Sequence, residues 1–305
     1  MGFRVLAGPL QGFTEAAWRA GHRRVYGEGV DVYCAPFLRV EHGEPRARDL
    51  RDVRSELNGG LRLLPQVIFG SVGEFRMLVE ALRGFGAIDL NLGCPFPPQV
   101  KRARGAGAIL RPELLGEVGE VIAEMPEVRF SVKMRLGVDA ADQWRGAIDA
   151  INAMRLDHVT IHPRIARDQY SGPLRPEALE EFRRECRHPL ILNGEVRTPE
   201  QIAEAERRGY AGVMIGRGLL ERPSLVSEWR EGREWMDAER VEKLLELHAF
   251  VFKHYRERLC GDAQLLAKVK PFWEYAEPAI GRKAWKAIRK STSLPAYQAA
   301  IQTIP

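Results

Sequence analysis

The chain has 305 residues, 45% hydrophobic, 29% charged and 8% aromatic, which excludes disorder as its dominant state because the apolar share is ample for a core. No apolar run approaches the about 18 residues that a membrane-spanning helix needs. The net charge of +5 is compatible with an anionic partner or with a solvated helical surface, and its excess lies late in the chain: residues 236–305 hold 12 Lys and Arg against 8 Asp and Glu, while the preceding part is close to balance.

Short apolar, β-branched segments alternate with helical stretches along most of the chain. Strands are expected over 3–8, 30–36, 63–69, 87–92, 129–134, 158–162, 190–193 and 212–215. They are near-continuous hydrophobic runs, as parallel strands covered on both faces are. Helices are expected over 14–26, 73–84, 112–125, 140–154, 176–185, 199–208 and 219–231, with a polar, irregular interval over 41–60. Thr198 before Pro199 places an N-cap ahead of an N1 proline, and Ser71 and Thr14 are further capping candidates. Eight alternating units predict an α/β fold, a (β/α)₈ TIM barrel, which uses about 250 residues as one unit. A doubly wound open sheet is the alternative, but no Gly-x-Gly-x-x-Gly follows the first strand, so a dinucleotide-binding form loses support. After about Met236 the strands stop. Val241, Leu244, Leu245, His248, Val251, Phe252 and Tyr255 recur at helical spacing. Leu265, Val269 and Trp273 begin a second helix, and 284–290 and 295–302 suggest two more. The expected division is a barrel over 1–235 and a small all-helical unit over 236–305.

In such a barrel the chemistry sits at the C-terminal strand ends, and here those ends are polar. Gln11, Gln66, Asn91, Cys94, Lys133, Arg135, His162, Arg164, Asn193, Glu195 and Arg217 all fall there. Lys133 lies inside an apolar strand, either snorkelling to solvent or acting as a fixed cation facing an anionic ligand. Gly216-Arg217-Gly218 opens the last helix of the barrel, as a phosphate site or a plain glycine-rich turn. Cys94 lies between Gly93 and Pro95, with a flexible Arg104-Gly105-Ala106-Gly107 stretch beyond. A free cysteine is usually a small buried hydrophobe, but this loop position makes Cys94 the best nucleophile or acid candidate. Cys34, Cys186 and Cys260 read as structural or incidental, and His162 reads as a site histidine or a satisfied strand histidine. With no Cys-x-x-Cys pair, neither a disulfide scaffold nor a metal is expected. The segment after Met1 enters a strand directly, without a signal-peptide pattern, and a reducing cytoplasm is the expectation.

Several segments follow one another between Val5 and about Leu225: Ala7-Gly8-Pro9-Leu10, Gln66-Val67, Asp89-Leu90-Asn91-Leu92-Gly93-Cys94-Pro95, Ser131-Val132-Lys133-Met134-Arg135-Leu136-Gly137, Ile161-His162-Pro163-Arg164, Asn193-Gly194-Glu195 and Val213-Met214-Ile215-Gly216-Arg217-Gly218. On these residues the chain resembles the tRNA-dihydrouridine synthase family. The resemblance implies an FMN-binding catalytic barrel with a helical tRNA-binding domain behind it. It further implies NADPH or NADH as electron donor and reduction of a tRNA uridine to 5,6-dihydrouridine. Carried over by residue, Pro9, Leu10 and Gln11 line the flavin, and Gln66 and Lys133 bond its polar edges. His162 contacts it near ring or phosphate, Asn193, Gly194 and Glu195 hold the ribityl–phosphate arm, and Gly216 and Arg217 bind the phosphate. Asn91 positions the uracil, and Cys94 is the proton donor. Arg135, Arg164, Lys101, Arg102, Lys268 and Lys270 are the expected substrate contacts; the last two lie in 253–290, which holds ten Lys and Arg against four acids. Trp273, Tyr275 and Trp285, interleaved there, read as core before stacking residues.

The pattern departs at Pro163, where glycine is common in the family, and at Glu195, where many members have Asp. Glu195 resembles the class C bacterial enzymes, which modify position 16. A monomer, with neither membrane nor metal as partner, is expected. Three competing readings are a flavin-dependent reductase of a free pyrimidine, a Schiff-base aldolase built on Lys133, and a non-catalytic RNA-binding barrel. The first leaves the basic tail unexplained.

Overall fold

The computed structural model describes residues 2–305. Its strands are β1 (Arg4–Ala7), β2 (Val32–Cys34), β3 (Val40–Glu41), β4 (Glu44–Pro45), β5 (Leu63–Leu64), β6 (Gln66–Val67), β7 (Ala87–Leu92), β8 (Arg129–Gly137), β9 (Leu156–Ile165), β10 (Leu190–Asn193) and β11 (Gly212–Ile215). Apart from the antiparallel β3–β4 hairpin, they form one parallel sheet in the order β5-β2-β1-β11-β10-β9-β8-β7-β6. β5 and β6 are the two halves of the third expected strand, divided at Pro65, which has no N–H to give the ladder. β5 pairs with β2 and β6 with β7, and Leu38 bridges to Val67. One short segment therefore joins both edges of the sheet. The expected barrel is present, and this closure excludes the doubly wound alternative.

Two expected helices are interrupted. The 219–231 stretch is Arg217–Glu221 and Leu225–Glu231, because Pro223 cannot continue a helix. The 140–154 stretch is a 3₁₀ turn, Gln143–Gly146, followed by Ile148–Ala153. The 41–60 interval carries the hairpin, a helix Ala47–Val53 and a 3₁₀ turn Glu56–Asn58. Thr198 forms a capping box with Gln201, and Ser71 accepts from the Glu74 N–H. Thr14 does not cap: its Oγ1 accepts from the Leu10 N–H at 2.9 Å, and Glu15 takes the N-cap position.

Alternate strand residues face opposite sides of the sheet. Leu6, Cys34, Leu64, Ile191 and Met214 form a small buried cluster, separate from the large one that joins the strands to the surrounding helices. β7 to β9 instead bring polar residues into register: Asp89 beside Ser131, Asn91 beside Lys133, Lys133 beside Thr160, Arg135 beside His162. One side of the barrel interior is thus apolar and the other polar.

After Glu231 the remaining structure is helical. Helix Asp237–Arg256 lies against helix Ala16–Tyr26. Gly21 permits that approach, since a Cβ there would come within 2.8 Å of Leu247 and 2.9 Å of Phe250. The later helices bury their own cluster around Trp273 and Tyr297. Tyr297 Oη receives the Trp273 indole N–H at 2.9 Å and lies 2.7 Å from His248 Nε2. Trp273 is therefore core, as expected.

The joint between helical part and barrel runs through Glu15, whose carboxylate accepts from Lys268 Nζ, from Tyr255 Oη at 2.8 Å and from Arg48 at 2.9 Å. Burial alone would raise the Glu15 carboxyl, but these partners outweigh it and hold it below its ordinary value. The joint's contribution is accordingly present above the ordinary carboxylate range and is lost as pH falls through the lowered value. Lys268→Glu is expected to lower stability at neutral pH by about 1–3 kcal/mol, through two facing carboxylates in a half-buried site. A urea midpoint equal to that of the parent protein would show that the joint contributes nothing.

Candidate active site

The C-terminal strand ends enclose a cavity of about 430 Å³ lined by β1, β7, β8, β9, β10 and β11 and the loops after them. Its wall includes Pro9, Leu10, Gln11, Asn91, Cys94, Lys133, Arg135, His162, Asn193, Gly194, Glu195, Gly216 and Arg217.

Lys133 is half-buried and faces this cavity, and among the described residues its Nζ has no hydrogen-bond or ion-pair partner. Burial and the Arg135 guanidinium pull it down to about 8, against the opposing pull of Asp89. A lysine in this position is a cation awaiting a counter-charge. His162 on the neighbouring strand is kept neutral by burial and by the surrounding cations Lys133, Arg135, Arg164 and Arg217.

Cys94 sits where β7 turns outward. Asn91 Oδ1 accepts from the backbone N–H groups of Gly93 (3.1 Å) and Cys94 (2.8 Å), which fixes the turn. On its other side the Cys94 carbonyl accepts from the Ala106 N–H at 3.1 Å. Gly105 lies against the cysteine at φ +57°, and a Cβ there would stand 2.7 Å from Cys94 Cβ. The expected flexible stretch is therefore a buried 3₁₀ turn, Gly105–Leu110, led by a buried Arg104 paired with Glu74. Packing against Cys94 and this ion pair tie it to the barrel. Burial pushes the Cys94 thiol up; the backbone at Phe96 and the cations of Arg135 and Lys133 offset only part of that.

Glu195 stands at the rim in the left-handed region, φ +52°. Such a conformation persists in a non-glycine residue where surrounding contacts hold it. Here Arg164 (2.7 Å), Arg197 (2.9 Å) and Arg217 all bond its carboxylate. Burial opposes its ionisation, but these guanidinium groups pull it down to about 2. The Tyr170 ring lies near two of the rim cations, 4.8 Å from Arg217 and 5.5 Å from Arg135.

The model of the family described as Dihydrouridine synthase (Dus) matches residues 5–296. The chain belongs to the dihydrouridine synthase family. It is accordingly an oxidoreductase. A "Probable tRNA-dihydrouridine synthase" of Staphylococcus aureus (strain COL) is 32% identical over 271 residues, covering 84% of this chain and 79% of that one. A "tRNA-dihydrouridine(16) synthase" of Pseudomonas putida is 30% identical over 251 residues, covering 76% of each. Among solved structures, morphinone reductase in complex with tetrahydroNAD aligns with TM-score 0.54 at 12% identity, covering 76% of this chain and 88% of that chain. A variant of NCR from Zymomonas mobilis aligns with TM-score 0.53 at 14% identity, covering 76% and 88%. At such identities the likeness is one of fold.

Most of the residues expected at the site meet on one wall, and six do not. Gln66 is fully buried beneath Asn91, bonded to it and to Asp89. Arg164 turns to Glu195, to the Gly172 carbonyl and to His162, so its guanidinium is consumed within the rim. Lys101 and Arg102 are exposed on the turn after helix Pro97–Val100, outside the cavity. Lys268 is spent on Glu15 at the joint, and Lys270 donates to the Ser291 carbonyl at 2.9 Å. Neither of the last two is a free surface cation, because each satisfies an acceptor within the fold. The wall also holds Phe37, Arg39, Phe96, Gln99, Tyr170 and Arg197, which sequence reasoning missed. Apart from Gln99, in the one-turn helix Pro97–Val100, they lie on loops, with no periodicity to mark them; the only available signal was proximity to a strand end. Among the described residues, no helix is long and apolar enough to cross a membrane, and no group of three His, Cys, Asp or Glu side chains could hold a metal ion.

Proposed function

We propose that the protein reduces a uridine of tRNA to 5,6-dihydrouridine, with FMN in the barrel mouth, NADPH or NADH as electron donor and Cys94 as proton donor. One observation carries this reading: the Cys94 thiol and the unpaired Lys133 ammonium line one cavity at the ends of adjacent strands. The residues present fit a flavin mononucleotide. Lys133 offers positive charge to an electron-rich ring edge, while Asn193, Gly194, Gly216 and Arg217 supply polar and backbone groups for the ribityl–phosphate arm. Glu195, fixing Arg164, Arg197 and Arg217, acts as the orienter of that rim.

Saturating the C5–C6 bond of uracil requires a hydride at one carbon and a proton at the other. Bound reduced flavin supplies the hydride. The chain's task is the proton and the placement. Burial keeps the Cys94 thiol protonated at neutral pH, so it can donate as the second carbon gains negative charge. Asn91 holds the Cys94 turn and presents its own edge to the cavity. A base stacked in tRNA reaches such a recess only by extrusion, which requires phosphate contacts around the mouth.

Those contacts are assigned to Lys101 and Arg102 and to helix Arg282–Lys290 of the helical part. That helix buries Ala284 and Ile288 and exposes Arg282, Lys283, Lys286, Arg289 and Lys290. Among the described residues none of these five cations is in an ion pair, unlike Lys268 at the joint. Residues 1–235 are then the catalytic barrel and 236–305 the tRNA-binding unit, acting as a monomer in the cytoplasm. Position 16 is the first uridine to map, on the strength of the Pseudomonas putida relative's name and of Glu195.

The purified protein is expected to be yellow and to form dihydrouridine in unmodified tRNA, read by nucleoside mass spectrometry, with NADPH consumed. Free uracil is expected to be inert. A colourless protein, or turnover of free uracil but not tRNA, would discard the reading.

A further inference from the structure

A single hydrogen-bond chain runs from the barrel interior to the Cys94 turn. Asp89 Oδ2 accepts from Gln66 Nε2 at 2.7 Å, Gln66 Oε1 accepts from Asn91 Nδ2 at 2.6 Å, and Asn91 Oδ1 accepts from the Gly93 and Cys94 N–H groups. Its two ends leave the amides no choice. A carboxylate can only accept and a backbone N–H can only donate. The two amides between them must both point their nitrogens toward Asp89 and their oxygens toward Cys94. Gln66 and Asp89 are fully buried and Asn91 nearly so, so a reversed amide would set donor against donor with no water to compensate. Asp89 also receives the Ser131 hydroxyl on Oδ1, but that hydroxyl rotates freely and imposes no direction on the chain. The register explains the geometry: Asp89 is the pairing partner of Gln66 across β6–β7, and Asn91 follows two residues later on the same face.

We infer that Asp89 is a positioning residue for proton donation: its carboxylate sets the direction of the Gln66–Asn91 relay and thereby holds the Cys94 turn in the geometry that aims the thiol into the cavity. The importance of aiming Cys94 rests on the reading given under Proposed function; the relay itself does not. Asp89→Asn keeps the volume but removes the obligatory acceptor: an amide that turns Nδ2 toward Gln66 either breaks the Gln66 bond or, by turning Gln66, competes with the Gly93 and Cys94 N–H groups for Asn91 Oδ1, so the buried end no longer enforces the direction the turn requires. Adding Gln66→Glu restores the order: the new carboxylate accepts from residue 89 on one side and from Asn91 on the other.

The test is the rate at which iodoacetamide alkylates Cys94, followed by peptide mass spectrometry in the full chain, so that Cys34, Cys186 and Cys260 are scored separately. Asp89→Asn is expected to speed Cys94 alkylation about tenfold, the size of one buried hydrogen bond. The double variant Asp89→Asn/Gln66→Glu should return it to within about twofold of the parent. Ser131→Ala, which removes a donor to Asp89 without altering direction, should leave it unchanged. Parent-like alkylation in Asp89→Asn, or equal acceleration in Ser131→Ala, would overturn the inference. If Asp89→Asn fails to fold, the double variant decides: parent-like alkylation supports the relay, altered alkylation refutes it. None of these readouts needs flavin or tRNA. A parent protein inactive on tRNA that still shows this pattern would fault the proposed reaction and leave the relay standing.

Discussion

Cys94→Ala is expected to reduce tRNA turnover by about 10²–10⁴-fold, the range for loss of a positioned general acid. Flavin reduction by NADPH should persist, because the hydride enters without need of the thiol. Single-turnover kinetics separates the two halves: flavin bleaching by NADPH stays fast, and reoxidation by tRNA slows. Cys94→Ser should recover little, since a hydroxyl holds its proton far more tightly than a thiol. The pH profile of the parent follows from the thiol's environment. A donor must be protonated, and burial raises this thiol above its ordinary value. Turnover is therefore expected to stay level through neutral pH and to fall only beyond the normal thiol range. Full tRNA reduction by Cys94→Ala would remove Cys94 from the mechanism.

The second large effect concerns the basic helix. Reversing Lys283, Lys286 and Arg289 to Glu is expected to weaken tRNA binding about 10²-fold near 0.15 M salt. It should also make the slope of log affinity against log salt shallower by about two to three. The three side chains are exposed and, among the described residues, unpaired, so thermal stability should hardly change. The contrast with Lys268→Glu is diagnostic, because that substitution acts on the joint with Glu15 and should move stability first. Filter binding or fluorescence anisotropy across a salt series provides the measurement. An affinity and salt slope equal to the parent's would place the tRNA elsewhere.

Much of the active site was legible because strand ends are a topological position before they are a spatial one. Once the alternation of apolar runs and helices counts to eight, Cys94, Lys133, His162, Asn193 and Arg217 must face one rim, and all five line the cavity. The expected contacts that lie away from the cavity wall have a common physical cause. Lys268, Lys270 and Arg164 are expected substrate contacts from sequence, but a long side chain's partner is set by what folding brings beside it. Glu15 lies 253 residues from Lys268, and Glu195 lies 31 from Arg164. Tyr170 and Phe96 sit on loops that carry no hydrophobic period, so nothing local marks them as wall residues.

By itself the sequence determined the eightfold alternation, the class of fold, the family and the placement of Cys94 and Lys133 at the strand ends, because period-2 and period-3.6 patterning and motif order are local properties of the chain. Only the tertiary structure decided how the barrel closes through the segment divided at Pro65, which arginines Glu195 gathers, and how Asp89 reaches Cys94 through Gln66 and Asn91. Those are contacts between segments distant in the chain, and hydrogen-bond direction in a buried relay has meaning only once both of its ends are in place.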